Sequence, residues 1–307
     1  MNKYIKDLAN IIRNGDMENT YKMAWIRSIV EFCVTNPSSK TIHFDDLSPL
    51  IFGYYWNQTI FFYLEQGPNP KKRPKIHQIV KSKVDEYRKL NGYVPIFFTK
   101  VENDIDLNIS QISNVLKENV CWRFQSKQNE VYDLDKENQT LKVHKPELLI
   151  DYADILFELI NYRWVQKLEN LNTHPRISQK VKGTDRENIK RANLNTFKEY
   201  LDIENPKRLS FKTGKPIPDD KLSMDHVIPW SYLYSDDLWN LVYVTRSENS
   251  SMNNRLPDEF DIEKLEKRNT SLLCKLDKMG KSNKQTEDLR LAIENNYVRK
   301  FWNSFRG

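Results

Sequence analysis

Two neighbouring stretches hold the residue types that a phosphodiester-cleaving site requires. The first is Met224-Asp225-His226-Val227-Ile228-Pro229-Trp230-Ser231. The second runs from Asp237 to Asn249 and reads Asp-Leu-Trp-Asn-Leu-Val-Tyr-Val-Thr-Arg-Ser-Glu-Asn. Cutting a phosphodiester needs a water stripped of its proton, a cation to stabilise the charge on the phosphorane, and a proton for the leaving 3′ oxygen. His226 can supply the base, because an imidazole with an unperturbed pKa of about 6.5 is largely neutral at pH 7. An adjacent carboxylate and a carboxamide oxygen are hard donors suited to Mg²⁺.

The elements around these residues must bring them together. Alternation along a strand places Asp225 and His226 on opposite faces, so a regular strand cannot aim both at one phosphate. Pro229 marks where the strand is expected to end and the backbone to turn. Asn240 falls in a long loop, where its amide can bond to backbone and pin that loop. Leu241 to Val244 reads as an apolar strand. Arg246 to Asn254 reads as a short helix with Ser247 as its cap, projecting Asn249 back toward Asp225. A lone Asp-His pair carries little weight, and in an Asn-rich chain the asparagines alone carry none. Their joint spacing does: Asn240 lies 15 positions after Asp225, and Asn249 lies 24 after it.

With that spacing, the Asp-His-x-x-Pro-x-Ser run and the Asn-Leu-Val strand, the segment from Leu209 to Pro257 resembles the ββα-metal fold of HNH endonucleases. The likeness extends to the nuclease domain of RNA-guided CRISPR effectors and to restriction and phage-defence enzymes. The resemblance implies Asp225 and Asn249 as metal ligands, His226 as the general base, and Asn240 as the catalytic-loop residue that fixes it. The implied cofactor is Mg²⁺ or Mn²⁺ and the implied partner is DNA. Three departures stand out. There are no CxxC pairs, so no structural zinc is expected and the small unit must lean on neighbouring helices. The third signature residue is Asn249 rather than His. Met252 stands where the family helix often carries a phosphate-contacting lysine, which leaves Arg246 and Arg255 as the nucleic-acid-binding candidates.

The rest of the chain sets the context. Its 307 residues allow two domains, and its net charge of +6 suits a polyanionic partner without selecting one. Cys33, Cys121 and Cys274 lie far apart, which reads as free thiols in a reducing compartment. The N-terminal residues have scattered charges and no apolar leader, and no run reaches about 18 uninterrupted apolar residues. The expectation is a cytoplasmic chain without a membrane span.

Apolar spacing predicts helices from Met17 to Cys33, from Leu47 to Glu65 behind an N-cap at Asp45 or Asp46, from Ile76 to Leu90 and from Pro146 to Gln166. Gly67, Pro68, Pro70 and Pro74, with Lys71, Lys72, Arg73 and Lys75 among them, predict an irregular basic loop. Short strands are expected at Trp122–Phe124, Glu130–Tyr132, Thr140–Val143 and Leu209–Lys212, then a turn over Thr213–Pro216 and a further strand over Lys221–Val227. His43, His77, His144 and His174 read as structural. Trp122, Trp164, Trp239 and Trp302 read as core, and Asp236 and Asp237 as cap or turn residues.

The fold class is therefore α+β. A mostly α-helical recognition domain (residues 1–175) leads into a basic linker helix (176–206), a small ββα-metal domain (207–258) and a C-terminal helical cap (259–307). A ββα unit contacts DNA mainly through the backbone, so selectivity must come from the N-terminal domain or from a partner protein. Such a site cuts one strand per visit, and a double-strand break needs a homodimer or two encounters. The favoured function is a restriction or phage-defence endonuclease. A non-catalytic nucleic-acid-binding subunit and a homing or mobile-element nuclease are the alternatives.

Overall fold

The computed structural model describes residues 2–69, 71–92, 95–125, 131–172, 176–182, 193–252 and 256–306. The chain is α+β and mostly helical, with two small antiparallel sheets among the described residues. It divides into two compact units. The first takes in Met1–Leu90, Ile96–Asn172 and Ile177–Gly183; the second is built mainly on Thr184–Gly307 and includes Arg176. No helix among the described residues is long and apolar enough to cross a membrane.

The first unit opens with α1 (Lys3–Asn14), α2 (Tyr21–Thr35), a two-residue strand β1 (Ile42–His43) and α3 (Phe44–Phe62). It continues through α4 (Lys75–Asn91), α5 (Ile109–Asn119), β2 (Tyr132–Asp135), β3 (Thr140–Val143), α6 (Pro146–Asp151), α7 (Ala153–Leu171) and α8 (Ile177–Lys182). The strands form a sheet of order β1-β3-β2. Helix α3 is apolar on nearly every side and is enclosed accordingly, with Phe44, Phe52, Tyr55 and Trp56 fully buried. Its N-cap is His43, one turn earlier than expected, and Asp46 reaches back to accept the His43 N–H at 3.0 Å. Both acidic residues thus lie in the first turn, where the helix dipole favours them.

Several expectations change. Trp122–Phe124 is a turn, not a strand, and Trp122 is 48% exposed with the Arg123 guanidinium 4.7 Å over its ring. The Pro146–Gln166 helix is broken at Tyr152 into α6 and α7. In the basic loop, Arg73 is committed to Glu65 through a two-pronged ion pair with its Nε 2.9 Å from each carboxylate oxygen. His174 and Glu130 lie outside the described residues.

The second unit contains α9 (Lys198–Glu204), β4 (Leu222–His226), α10 (Trp230–Leu233), β5 (Leu241–Thr245), α11 (Arg246–Met252), α12 (Glu259–Lys278), α13 (Lys284–Glu294) and α14 (Tyr297–Arg306). The segment expected as one linker helix over 176–206 is therefore not a single element. Ile177 and Val181 bury the apolar face of α8 in the first unit, while Tyr200 and Leu201 bury that of α9 in the second. Each half follows its own apolar face into a different core. The expected strand over Leu209–Lys212 reduces to one bridge, Leu209 to Pro216. The reason is local: the Asn205 amide takes both the N–H of Leu209 (3.0 Å) and its carbonyl (2.7 Å), leaving no free edge to extend.

Candidate active site

Strands β4 and β5 pair antiparallel, with Asp225 opposite Val242 and His226 opposite Leu241. Strand β5 is the anchor, since Leu241, Val242, Tyr243 and Val244 are all buried. Strand β4 is mostly half-exposed until His226, which is 5% exposed. Pleating thus sends Asp225 toward the open side and His226 inward. The strand ends on His226 itself rather than closer to Pro229, and the Asp225 carboxylate folds back to accept the His226 N–H at 2.8 Å.

Asn240 holds the turn that follows. Fully buried, it accepts the Ile228 N–H at 2.8 Å and donates to the Ile228 carbonyl at 2.7 Å, while its own carbonyl receives the Val227 N–H at 3.0 Å. One side chain therefore satisfies both polar groups of a buried residue two positions beyond His226. The amide thereby ties the turn to its own side chain.

Asp236 corrects the expectation that it serves only as a cap or turn residue. Its carboxylate lies 3.0 Å from Nε2 of His226, and the two side chains are only 9% and 4% exposed. The spacing of the motif carries no trace of this contact; the only available signal was a carboxylate in the loop that must fold back over β4. The next residue, Asp237, has its carboxyl pushed up by burial, with Ser235 and Arg176 opposing and the Asp288 and Asp236 charges adding to the rise. It lines a cavity of about 440 Å³ with Trp239, Lys284, Asp288, Tyr297 and Phe301.

Helix α11 brings in the third residue. Its cap is Thr245, not Ser247: the Thr245 hydroxyl accepts the Glu248 N–H at 3.1 Å and Glu248 accepts the Thr245 N–H at 2.7 Å. This reciprocal pair is a Thr-x-x-Glu capping box, a signature present in the sequence at Thr245-Arg246-Ser247-Glu248. Glu248 also accepts the Ser210 hydroxyl at 2.9 Å, which ties the helix start to the preceding turn. So oriented, Asn249 donates its amide to Ser223 Oγ at 2.9 Å and to the Met224 carbonyl at 3.4 Å, beside Asp225 on β4. Arg246 is exposed in the first turn of α11. Arg255 lies outside the described residues.

Burial works against the charge on Glu248, but the Thr245 N–H and the hydroxyls of Ser210, Thr245 and Thr213 outweigh it and hold the carboxyl below its ordinary value. A folded-state pKa below the unfolded one adds stability that is complete above the unfolded value, about 4.3, and is lost as pH falls through the folded value. Glu248→Gln removes this titration. The fall in melting temperature between about pH 5 and pH 3 should therefore be shallower in the variant than in the parent. Parallel profiles for the two proteins would contradict the assignment.

The scaffold is braced by α12. Arg268 is buried and donates to the carbonyls of Leu238 (3.2 Å) and Leu241, and Asn269 donates to that of Trp239 at 2.9 Å. These carbonyls flank Asn240 on both sides. Burial pushes the Arg268 guanidinium down to about 10 against the pull of Glu204, so it remains charged at neutral pH. Lys275 caps the C-terminal carbonyls of α9, donating to Glu204 at 2.9 Å and Ile203 at 3.3 Å. Lys212 pairs with Asp261 at the start of α12, and Lys264 donates to the Phe211 carbonyl. The aromatic face of α14 closes the unit: Trp302 is buried with its indole donating to Pro257, and Phe301 packs on Trp239.

The donor set fits a hard divalent cation. Asp225 and Asn249 are each half-buried, and the Asn249 amide nitrogen is spent on β4, which leaves its oxygen as the free end. A carboxylate and a carboxamide oxygen are the donor types taken by an ion that keeps most of its waters.

A sequence model of the family described as HNH endonuclease matches residues 212–258, the stretch that carries β4, β5 and α11. The second unit thus holds an HNH endonuclease family domain, and family members generally use divalent metal ions. No curated protein and no solved structure matches the chain.

Proposed function

We propose that this HNH domain makes the chain a metal-dependent endonuclease that hydrolyses DNA phosphodiester bonds, acting in restriction or phage defence with the first unit as target reader. One observation carries the cleavage reading. Asn249, 24 residues downstream of Asp225, is bonded to Ser223 and Met224 on the strand that bears Asp225 and His226. That contact sets Asn249 against the strand that ends in Asp225 and His226, which supports a shared role for the three residues.

In this reading His226 takes a proton from water, the water oxygen bonds to phosphorus, and the bond to the 3′ oxygen breaks with its electron pair on that oxygen. Asp225 and Asn249 would hold Mg²⁺ or Mn²⁺. When bound, that cation stabilises the charge that builds on the phosphate oxygens. Asn240 keeps the backbone after His226 in place. The net charge of +6 and the exposed Arg246 supply sequence-independent attraction to the DNA backbone.

The test is nicking of supercoiled plasmid by the purified full chain with Mg²⁺ or Mn²⁺. Chelation by EDTA should abolish nicking and added metal restore it, while Asp225→Ala should raise the metal concentration needed for half-maximal rate by at least about tenfold. Nicking that persists in EDTA would contradict the metal-dependent reading. Plasmid binding without cutting under any metal, modified phage DNA included, would support a docking subunit instead.

A further inference from the structure

We infer that Asp236 is a positioning residue for the cleavage reaction, holding the proton of His226 on Nε2 and so assigning Nδ1 as the nitrogen that meets water. The inference rests on the nuclease reading of the same site.

The argument begins with the ring. An ionised carboxylate only accepts hydrogen bonds, so at 3.0 Å from Asp236 the His226 Nε2 must be the donor. A neutral imidazole with its proton on Nε2 carries its lone pair on Nδ1. Among the described residues Nδ1 makes no hydrogen bond, yet it is not one of the enclosed side-chain atoms lacking a partner. The nitrogen that carries the lone pair is therefore not wholly enclosed.

The second part is rigidity. A positioning group works only if it is itself held, and the loop that carries Asp236 is held at both ends. On one side the Tyr234 N–H donates to Trp230 at 2.7 Å and the Tyr234 carbonyl receives Arg176 at 2.8 Å. On the other the Asn240 N–H donates to Asp237 at 3.0 Å, and α12 clamps the carbonyls of Leu238, Trp239 and Leu241 through Arg268 and Asn269. The carboxylate meets the ring from a fixed backbone, and both groups are nearly dry.

The chemistry then balances. Water gives its proton to Nδ1 as its oxygen bonds to phosphorus; the P–O3′ bond breaks, and the departing oxygen takes a proton from solvent. Asp236 stays ionised throughout, and its charge faces the imidazolium that forms, where it is worth most.

Asp236→Asn is the discriminating variant because it is isosteric. A merely structural role would tolerate it. A role in holding the tautomer would not, since an amide can turn its NH₂ toward Nε2 and drive the proton to Nδ1. With histidine ¹⁵N-labelled full chain at about pH 8.5, where free imidazole is neutral, the His226 signals are identified by their absence in His226→Gln. The parent should show protonated Nε2 and unprotonated Nδ1, and Asp236→Asn should lose that pattern. In the plasmid assay kcat should fall about 10–100-fold, with KM for DNA and the half-saturating Mg²⁺ concentration unchanged. A parent with its proton on Nδ1 overturns the inference, as does an Asn variant with parental tautomer and kcat. Absence of cleavage by the parent counts against the nuclease reading, while the ¹⁵N pattern still decides the role of Asp236.

Discussion

His226→Ala should slow plasmid nicking by about 10²–10⁴-fold at saturating metal, the range expected for removal of a general base. The prediction follows from how little else can replace the imidazole. Asp236 approaches the ring from the buried side and is bound to Nε2. Asp225 is turned back onto the His226 N–H on the neighbouring residue. The described residues include no other histidine in the second unit. DNA binding should persist, because attraction to the DNA backbone does not depend on the imidazole. The variant also removes one hydrogen-bond partner of a nearly buried carboxylate, at a cost of about 1–3 kcal/mol, so rates must be compared on protein shown by circular dichroism to be folded. A folded His226→Ala protein that nicks within a few-fold of the parent would exclude the imidazole as the base.

What could be read from the sequence divides along a physical line. The strand that carries Asp225 and His226, the loop that carries Asn240 and the helix that carries Asn249 were legible because a small ββα unit fixes the residue count between its parts, so spacing encodes geometry. The helices of the first unit were legible where apolar residues recur on a helical period, as in α3. The misses share a different character. Asp236 meets His226 across a loop whose path depends on tertiary contacts, and no local pattern reports that path. Trp122 reads as core by residue type but lies on a turn, where it stacks with Arg123. The expected strand at Leu209 gives way to the Asn205 amide, a side chain competing with the ladder for the same backbone groups. The Thr245–Glu248 capping box, by contrast, is a purely local pattern present in the sequence, and it rather than Ser247 starts the helix.

The braces from α12 explain how the unit can manage with neither CxxC pair in its sequence. A two-stranded hairpin and one short helix are too small to be stable by themselves. Here the extra support is polar and long-range: Arg268 and Asn269 meet three carbonyls around Asn240, some 30 residues away. Arginine and asparagine on a helix look like ordinary surface residues in the sequence. Their burial, at 7% and 1% exposure, shows only when the helix is packed.

Asn240→Ala is the most damaging change to that arrangement. The side chain has no exposed surface and satisfies both the N–H and the carbonyl of Ile228, itself fully buried. Its loss leaves two enclosed backbone groups without these bonds, at about 1–3 kcal/mol each, so the second unit should lose about 2–6 kcal/mol of stability. Asn240→Asp is not a rescue. It keeps an acceptor for the Ile228 N–H but sets a carboxylate oxygen against the Ile228 carbonyl and buries a charge. Both variants should therefore unfold earlier in urea and show faster amide exchange at β4 and β5, while exchange in α2, α3 and α7 stays at the parental rate, since those helices belong to the other unit. Nicking should fall by about 10–100-fold even below the unfolding transition, because the backbone from His226 to Ile228 is released. An Asn240→Ala protein with parental exchange in β4 and β5 would show that α12 alone holds this loop. The role of Asn240 would then pass to Arg268 and Asn269.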